Sequence, residues 1–192
     1  LSGQVVSFEG VTVQREYATL AADETTLVAS IAQNVPLDRS VLLFGYHVPE
    51  SSTANAVCML SGSFRSEGEL LFERYQSGAE LPILYQTATF EHQVYSGRAL
   101  FEDGESVVDV SLPAAVDRDS SIAFGSNDSL MGPASGRSAY VGVSDVGDVP
   151  GAASAFMTFA DSRTLRLERA FSVGEAEISW FVIDFSQPAC AD

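Results

Sequence analysis

The sequence predicts an all-β protein made of two tandem antiparallel β-sandwich units related by internal duplication. Three observations lead there. Apolar and polar residues alternate with a period of two, as in Leu165 and Leu167 against Arg166 and Glu168, and this alternation sends successive side chains to opposite faces of a strand. A convincing helical stripe is missing throughout. The nearest approach, QREYATLAADE at 14–24, has YSGRALFEDGE as its counterpart, whose two glycines make both segments a strand running into a turn. Finally, ELLFERYQSGAELPILYQTATF at 69–90 recurs as TLRLERAFSVGEAEISWFVIDF at 164–185, with 7 identities in 22 ungapped positions.

The repeat extends upstream, and a repeat found in sequence decides how the fold is read. TTLVASI at 25–31 lies against SVVDVSL at 106–112, and Ser40 to Gly45 against Ser120 to Gly125. VPESSTANAVCML at 48–60 lies against VPGAASAFMTF at 149–159 after a two-residue gap, which sets Cys58 opposite Met157. The units are therefore 13–90 and 94–185, joined by the short linker Glu91-His92-Gln93.

Each unit is expected to hold six strands. In the first they lie near 11–20, 26–32, 40–46, 55–62, 69–75 and 81–90, separated by turns such as Ala22-Asp23-Glu24, Gly62-Ser63 and Ser77-Gly78. In the second they lie near 93–101, 105–112, 120–125, 154–160, 164–170 and 176–185, with turns at Asp103-Gly104 and Val173-Gly174. Short strands with polar turns at this spacing indicate antiparallel sandwiches. Three segments fall outside the repeat. Residues 1–12 carry an extra strand-like run, GQVVSFEGV, suited to strand addition in its own subunit or a neighbour. Residues 126–148 are an inserted loop rich in Gly, Ser, Pro and Asp, with SAYVGV as a short strand and Tyr140 as a candidate ligand-binding residue. Residues 186–192 form a C-terminal tail.

Charge narrows the choice of partners. The formal net charge is −16, and all 10 basic residues are arginine. No basic stripe is available for phosphate contacts, which argues against nucleic acid and against anionic lipid. The longest apolar run falls short of the roughly 20 residues of a membrane helix. An acidic surface favours solubility, in salt above all. The first residue, Leu1, fits a processed mature form after removal of a signal peptide, or a trimmed start. Cys58 lies in the apolar run AVCML and Cys190 in the tail SQPACAD. A Cys58–Cys190 disulfide pinning the tail is one arrangement and requires an oxidising compartment. Two free thiols, or an intermolecular bridge through Cys190, are the others.

The residues that commonly carry chemistry do not gather. His47 and His92 have no neighbour at metal-ligand spacing, and no nucleophile elbow, P-loop or dinucleotide fingerprint is found. The expectation is a non-enzyme without cofactor. Asp117 and Asp119, in an acidic turn, are calcium candidates, with solvated turn carboxylates as the plain alternative. Glu73-Arg74 and Glu168-Arg169 recur at the same place in both units, so Arg74 and Arg169 are ligand-binding candidates, with an ion pair as the simpler role. Trp180 aligns with Tyr85 in ISWFVIDF, a nearly continuous apolar strand whose two faces must both be covered. One face is core; the other meets the sister unit or another subunit, which makes Trp180, Tyr85 and Phe181 interface candidates.

The close of each unit, a Leu-x-Leu-x-Arg strand, a Gly turn and then Ile-x-Trp-x-Val-x-x-Phe, resembles β-sandwich modules of uncharacterised bacterial and phage proteins. The six-strand plan ending in Ile-Ser-Trp is also similar to H-type lectin domains. That resemblance implies trimers and sugar binding, and a duplicated module would give three chains pseudo-six-fold symmetry. No sugar-binding residue carries over. The function expected is a structural subunit of an external assembly, as a virion or tail component or a bacterial surface or filament protein. It would sit outside the cell, on its surface or in a virion, with copies of itself and other assembly subunits as partners. The alternative is a carbohydrate-binding lectin or adhesin.

Overall fold

The computed structural model of the chain describes residues 10–47, 57, 59–74, 76–127, 155–172 and 174–188. The protein is all-β. Its strands are β1 Thr12–Leu20, β2 Thr26–Ser30, β3 Ser40–Tyr46, β4 Ser61–Ser66, β5 Glu69–Glu73, β6 Leu81–Thr89, β7 His92–Phe101, β8 Val107–Ser111, β9 Ser121–Asn127, β10 Ala155–Asp161, β11 Thr164–Arg169 and β12 Ala176–Pro188. They pair antiparallel into four three-stranded sheets, in the orders β1-β6-β3, β2-β5-β4, β7-β12-β9 and β10-β11-β8. No ladder among the described residues joins a strand of 12–89 to one of 92–188.

The two halves pair their strands by one scheme. The sixth strand of each half lies between the first and third, and the fifth between the second and fourth. Register agrees as well. Tyr85 stands opposite Glu16 and Phe44, and Trp180 opposite Gly97 and Gly125. Phe72 stands opposite Leu27 and Gly62, and Leu167 opposite Val108 and Met157. Turn hydrogen bonds match in turn: Ile31 N donates to Gly68 O at 2.9 Å, and Leu112 N to Arg163 O at 2.8 Å.

Period-two patterning builds the cores. Leu70 and Phe72 of β5 and Leu81, Ile83 and Tyr85 of β6 point inward in the first half. Leu165 and Leu167 of β11 and Ile178, Trp180 and Val182 of β12 do so in the second. β12 is covered on both faces. Phe181 and Ile183 leave the second core and join the first, together with Val94 of β7. Phe181 meets Phe64 edge-on at 6.1 Å and stacks on Phe124 at 5.7 Å. The linker is tied down where it crosses, by Val94 N and Gln93 Nε2 donating to Asp38 O at 2.6 and 3.0 Å.

Two expectations need correction. The fourth strand, expected at 55–62, is β4 at Ser61–Ser66, so Gly62-Ser63 is not a turn. Gly62 is a close-packing glycine: a Cβ there would lie 2.7 Å from the Phe44 ring and 3.0 Å from Phe72. Ladder register accordingly sets Gly62, not Cys58, at the position of Met157. The third strands slip by one residue against the sequence match, because Phe44 corresponds to Gly125 and not to Phe124. The larger Trp180 ring lies between two glycines, whereas Phe124 turns to the opposite face and packs on Phe181. Residues 1–9, the loop strand SAYVGV with Tyr140, Cys58 and Cys190 lie outside the described residues.

Phe181 is 4% exposed and fills the first core from the second half. Phe181→Ala is therefore expected to cost about 3 kcal/mol or more. Amides of β5 and β6 in the first half should lose hydrogen-exchange protection along with those of β12.

Candidate functional site

The seam between the halves holds the described site. Its wall from the second half is the outward face of β7-β12-β9, where alternation sets residues in rows across the three strands. One row is Arg98, Ser179 and Ser126, and the next is Ser96, Phe181 and Phe124. The facing wall is β4 and the outward side of β5. Between them lies a cleft of about 420 Å3 lined by Ser63, Leu71, Ser96, Arg98, Ser179 and Trp180 among others.

Arg98 is the polar centre of this cleft. Its guanidinium donates to Ser63 Oγ at 2.8 Å and to Glu73 Oε2 at 2.5 Å across the seam, and to Glu177 Oε1 at 3.4 Å within its own sheet. These groups are about one-third exposed, so each pair alone contributes little to stability. Shared by two carboxylates and a hydroxyl, however, the fork of donors fixes the angle at which the halves meet. Beside it, Ser179 Oγ, Ser126 Oγ and Trp180 Nε1 are buried without a hydrogen-bond partner among the described residues. Gly97 gives the Trp180 ring its room, since a Cβ there would lie 2.6 Å from the ring.

The recurring arginines have a structural role. Arg74 is 3% exposed. Its Nε donates to Glu24 O at 2.9 Å, its Nη2 to Ala21 O and Glu24 O at 2.6 Å, and its Nη1 to Val57 O at 3.2 Å and to Ala79 O. Arg169, 5% exposed, repeats the pattern. Its Nε donates to Glu105 O at 2.6 Å and its Nη2 to Glu102 O at 2.9 Å, with the guanidinium 4.9 Å from the Phe101 ring. Burial lowers the Arg169 pKa from its ordinary value, opposed by the nearby Asp103 and Glu105. Each arginine thus staples the turn between the first and second strands of its half. Of the two roles expected for them, neither a ligand contact nor an ion pair is what these bonds describe: each guanidinium is enclosed and donates to carbonyl oxygens. The adjacent Glu73 forms an ion pair with Arg98 of the other half.

The remaining candidates separate. Tyr85 is 4% exposed in the first core, its hydroxyl donating to Ser30 O at 2.9 Å. Burial, then the charge of Glu16, raises its pKa. Trp180 belongs to the second core, so of the three interface candidates Phe181 is the one that crosses the seam. Asp117 accepts from Ser120 Oγ at 2.7 Å and from Asp119 N at 3.1 Å, and these bonds hold its carboxyl below the usual range. It closes its own turn, and no three His, Cys, Asp or Glu side chains converge among the described residues. Sequence reading missed Arg98, Ser63, Ser179 and Ser126, which come from separate strands with no local motif. No protein-family model, curated protein or solved structure matches the chain.

Arg74→Met keeps most of the side-chain volume and strips the carbonyl oxygens of their donors. It should destabilise the fold by about 3 kcal/mol, on the scale of a buried charge network losing its donor. Chemical denaturation would read this as a lower midpoint with an unchanged slope.

Proposed function

We propose that the protein is a non-enzymatic structural subunit of an external assembly, built from two copies of one sandwich unit and associating through its sheet faces. One observation carries the reading. The outward face of β1-β6-β3 presents Val13, Tyr17, Leu43 and Leu84 on one surface, 52%, 64%, 46% and 46% exposed respectively. Apolar side chains gathered on one face of a sheet, rather than scattered singly, mark a surface for association. The matching pairing schemes support the duplicated plan. With a net charge of −16, copies repel one another, and salt, which screens that repulsion, favours their association. Light scattering of the purified chain, followed by electron microscopy, is expected to give closed oligomers, filaments or sheets. A monomer at every concentration overturns the reading.

The cleft at the seam favours a second reading, binding of a carbohydrate or another neutral polyol. Its support is Arg98 beside Ser179, whose hydroxyl lacks a partner among the described residues, next to an aromatic wall of Phe64, Trp180 and Phe181. Trp180 is the single tryptophan and lines both the cleft and the second core, so its emission responds to binding in the cleft. A glycan that binds there should change that emission saturably, and Arg98→Ala should abolish the change. A glycan panel that leaves the emission unmoved overturns this reading.

A further inference from the structure

The seam inside the chain is one interface between two similarly paired units, and the surfaces left open at the two ends are the corresponding halves of that same interface. The rows across β7-β12-β9 that meet the first half are Arg98–Ser179–Ser126, Ser96–Phe181–Phe124 and Val94–Ile183–Ile122. Ladder register sets Tyr17–Leu84–Gly45, Arg15–Gln86–Leu43 and Val13–Ala88–Val41 in the same places on β1-β6-β3. In the second half this face is covered at Val94, Ser179, Phe181 and Ile183, while Ile122 at its edge is 45% exposed. In the first half the rows of Tyr17 and Leu43 are open, with Tyr17 at 64% and Leu43 and Leu84 at 46% exposed and nothing within 4 Å of a Cβ on Gly45, whereas Ala88 and Val41 of the third row are buried in the first core.

The complementary surface behaves alike. In the first half, edge strand β4 and the neighbouring Glu73 take up the seam, through Phe64 on Phe181 and through Glu73 and Ser63 on Arg98. Register makes β10 the counterpart of β4 and Glu168 the counterpart of Glu73; it sets Phe156 at the place of Ser61, and Phe159, which packs on the second core, at the place of Phe64. On this surface Glu168 is exposed, and Phe156, directly opposite it, is 69% exposed, the highest value among the exposed large hydrophobic residues described.

Resting on the structural-subunit reading, we infer that β10 and the outward side of β11 in one chain dock on the outward face of β1-β6-β3 in a second copy, repeating the internal seam from chain to chain. Phe156 then lies against the apolar rows of Val13, Tyr17, Leu43 and Leu84, and the Tyr17 hydroxyl stands where Arg98 stands internally, opposite Glu168. Such a contact is head-to-tail. It closes into a ring if the rotation between units closes and runs on as a filament if it does not. With a net charge of −16, copies repel, so added salt should strengthen the contact.

Sedimentation velocity of the full chain, with Tyr17→Glu and Phe156→Glu each made singly, tests this. The wild type should associate, more so at raised sodium chloride. Each variant, blocked on one face, should associate at least about tenfold more weakly. An equimolar mixture should form dimers and stop there, because each variant brings the face the other lacks. Both sites are exposed, and thermal melting checks that the variants fold; Leu84→Glu and Glu168→Arg test the same two faces should either fail. A mixture that stays monomeric, or one variant blocking while the other assembles normally, overturns the head-to-tail contact. Assembly undiminished in both variants overturns these faces and leaves the structural-subunit reading standing. A wild type that is monomeric at every concentration and salt overturns both.

Discussion

The structure depends on β12 being buried from both sides. Ile178, Trp180 and Val182 close the second core, while Phe181 and Ile183 reach into the first. A strand with one wet face would complete a sandwich and leave the two halves as beads on a three-residue linker. With both faces apolar, the strand makes the first core unfinished until the second half packs on it. Burying a phenylalanine and an isoleucine in this way removes apolar surface from water at about 25 cal/mol per Å2, and that gain holds the halves together without a single shared ladder among the described residues.

Polar groups then fix what apolar packing leaves free. Hydrophobic contact has no direction, so Phe181 on Phe64 would tolerate many angles. Arg98 limits them by reaching Glu73 and Ser63 across the seam while held to Glu177 on its own side. Arg74 and Arg169 do the same inside each half. A guanidinium presents five donors in a rigid plane, so one side chain can gather several turn carbonyls that would otherwise be buried without partners. Lysine, with three donors around one nitrogen, offers no such geometry. The arginines recur because the same turn recurs.

The two halves share pairing and register, yet corresponding positions carry residues suited to different environments. Tyr17, Leu84 and Leu43 stand on an open face, where Arg98, Ser179 and Phe124 stand on a covered one. Beside Tyr85 the neighbouring strands carry Glu16 and Phe44; beside the larger Trp180 they carry two glycines. The residue at each place fits the space and the neighbours it has there.

The all-β class, the eleven described strands besides β4, and the shared face of Leu165 and Leu167 were legible in the residues themselves, because side-chain period and turn chemistry are local. So was the need to cover both faces of β12. The position of β4 was not: Gly62 reads as a turn residue until Phe44, Leu42 and Phe72 are seen to fill the space above it. Nor was the job of Arg74, whose partners lie far away in the chain, or the cleft, whose wall joins Ser63 to Arg98 and Ser179. Alternation states which side chains share a face of one strand. Which faces then meet is settled by the packing of sheets that only the folded chain brings together.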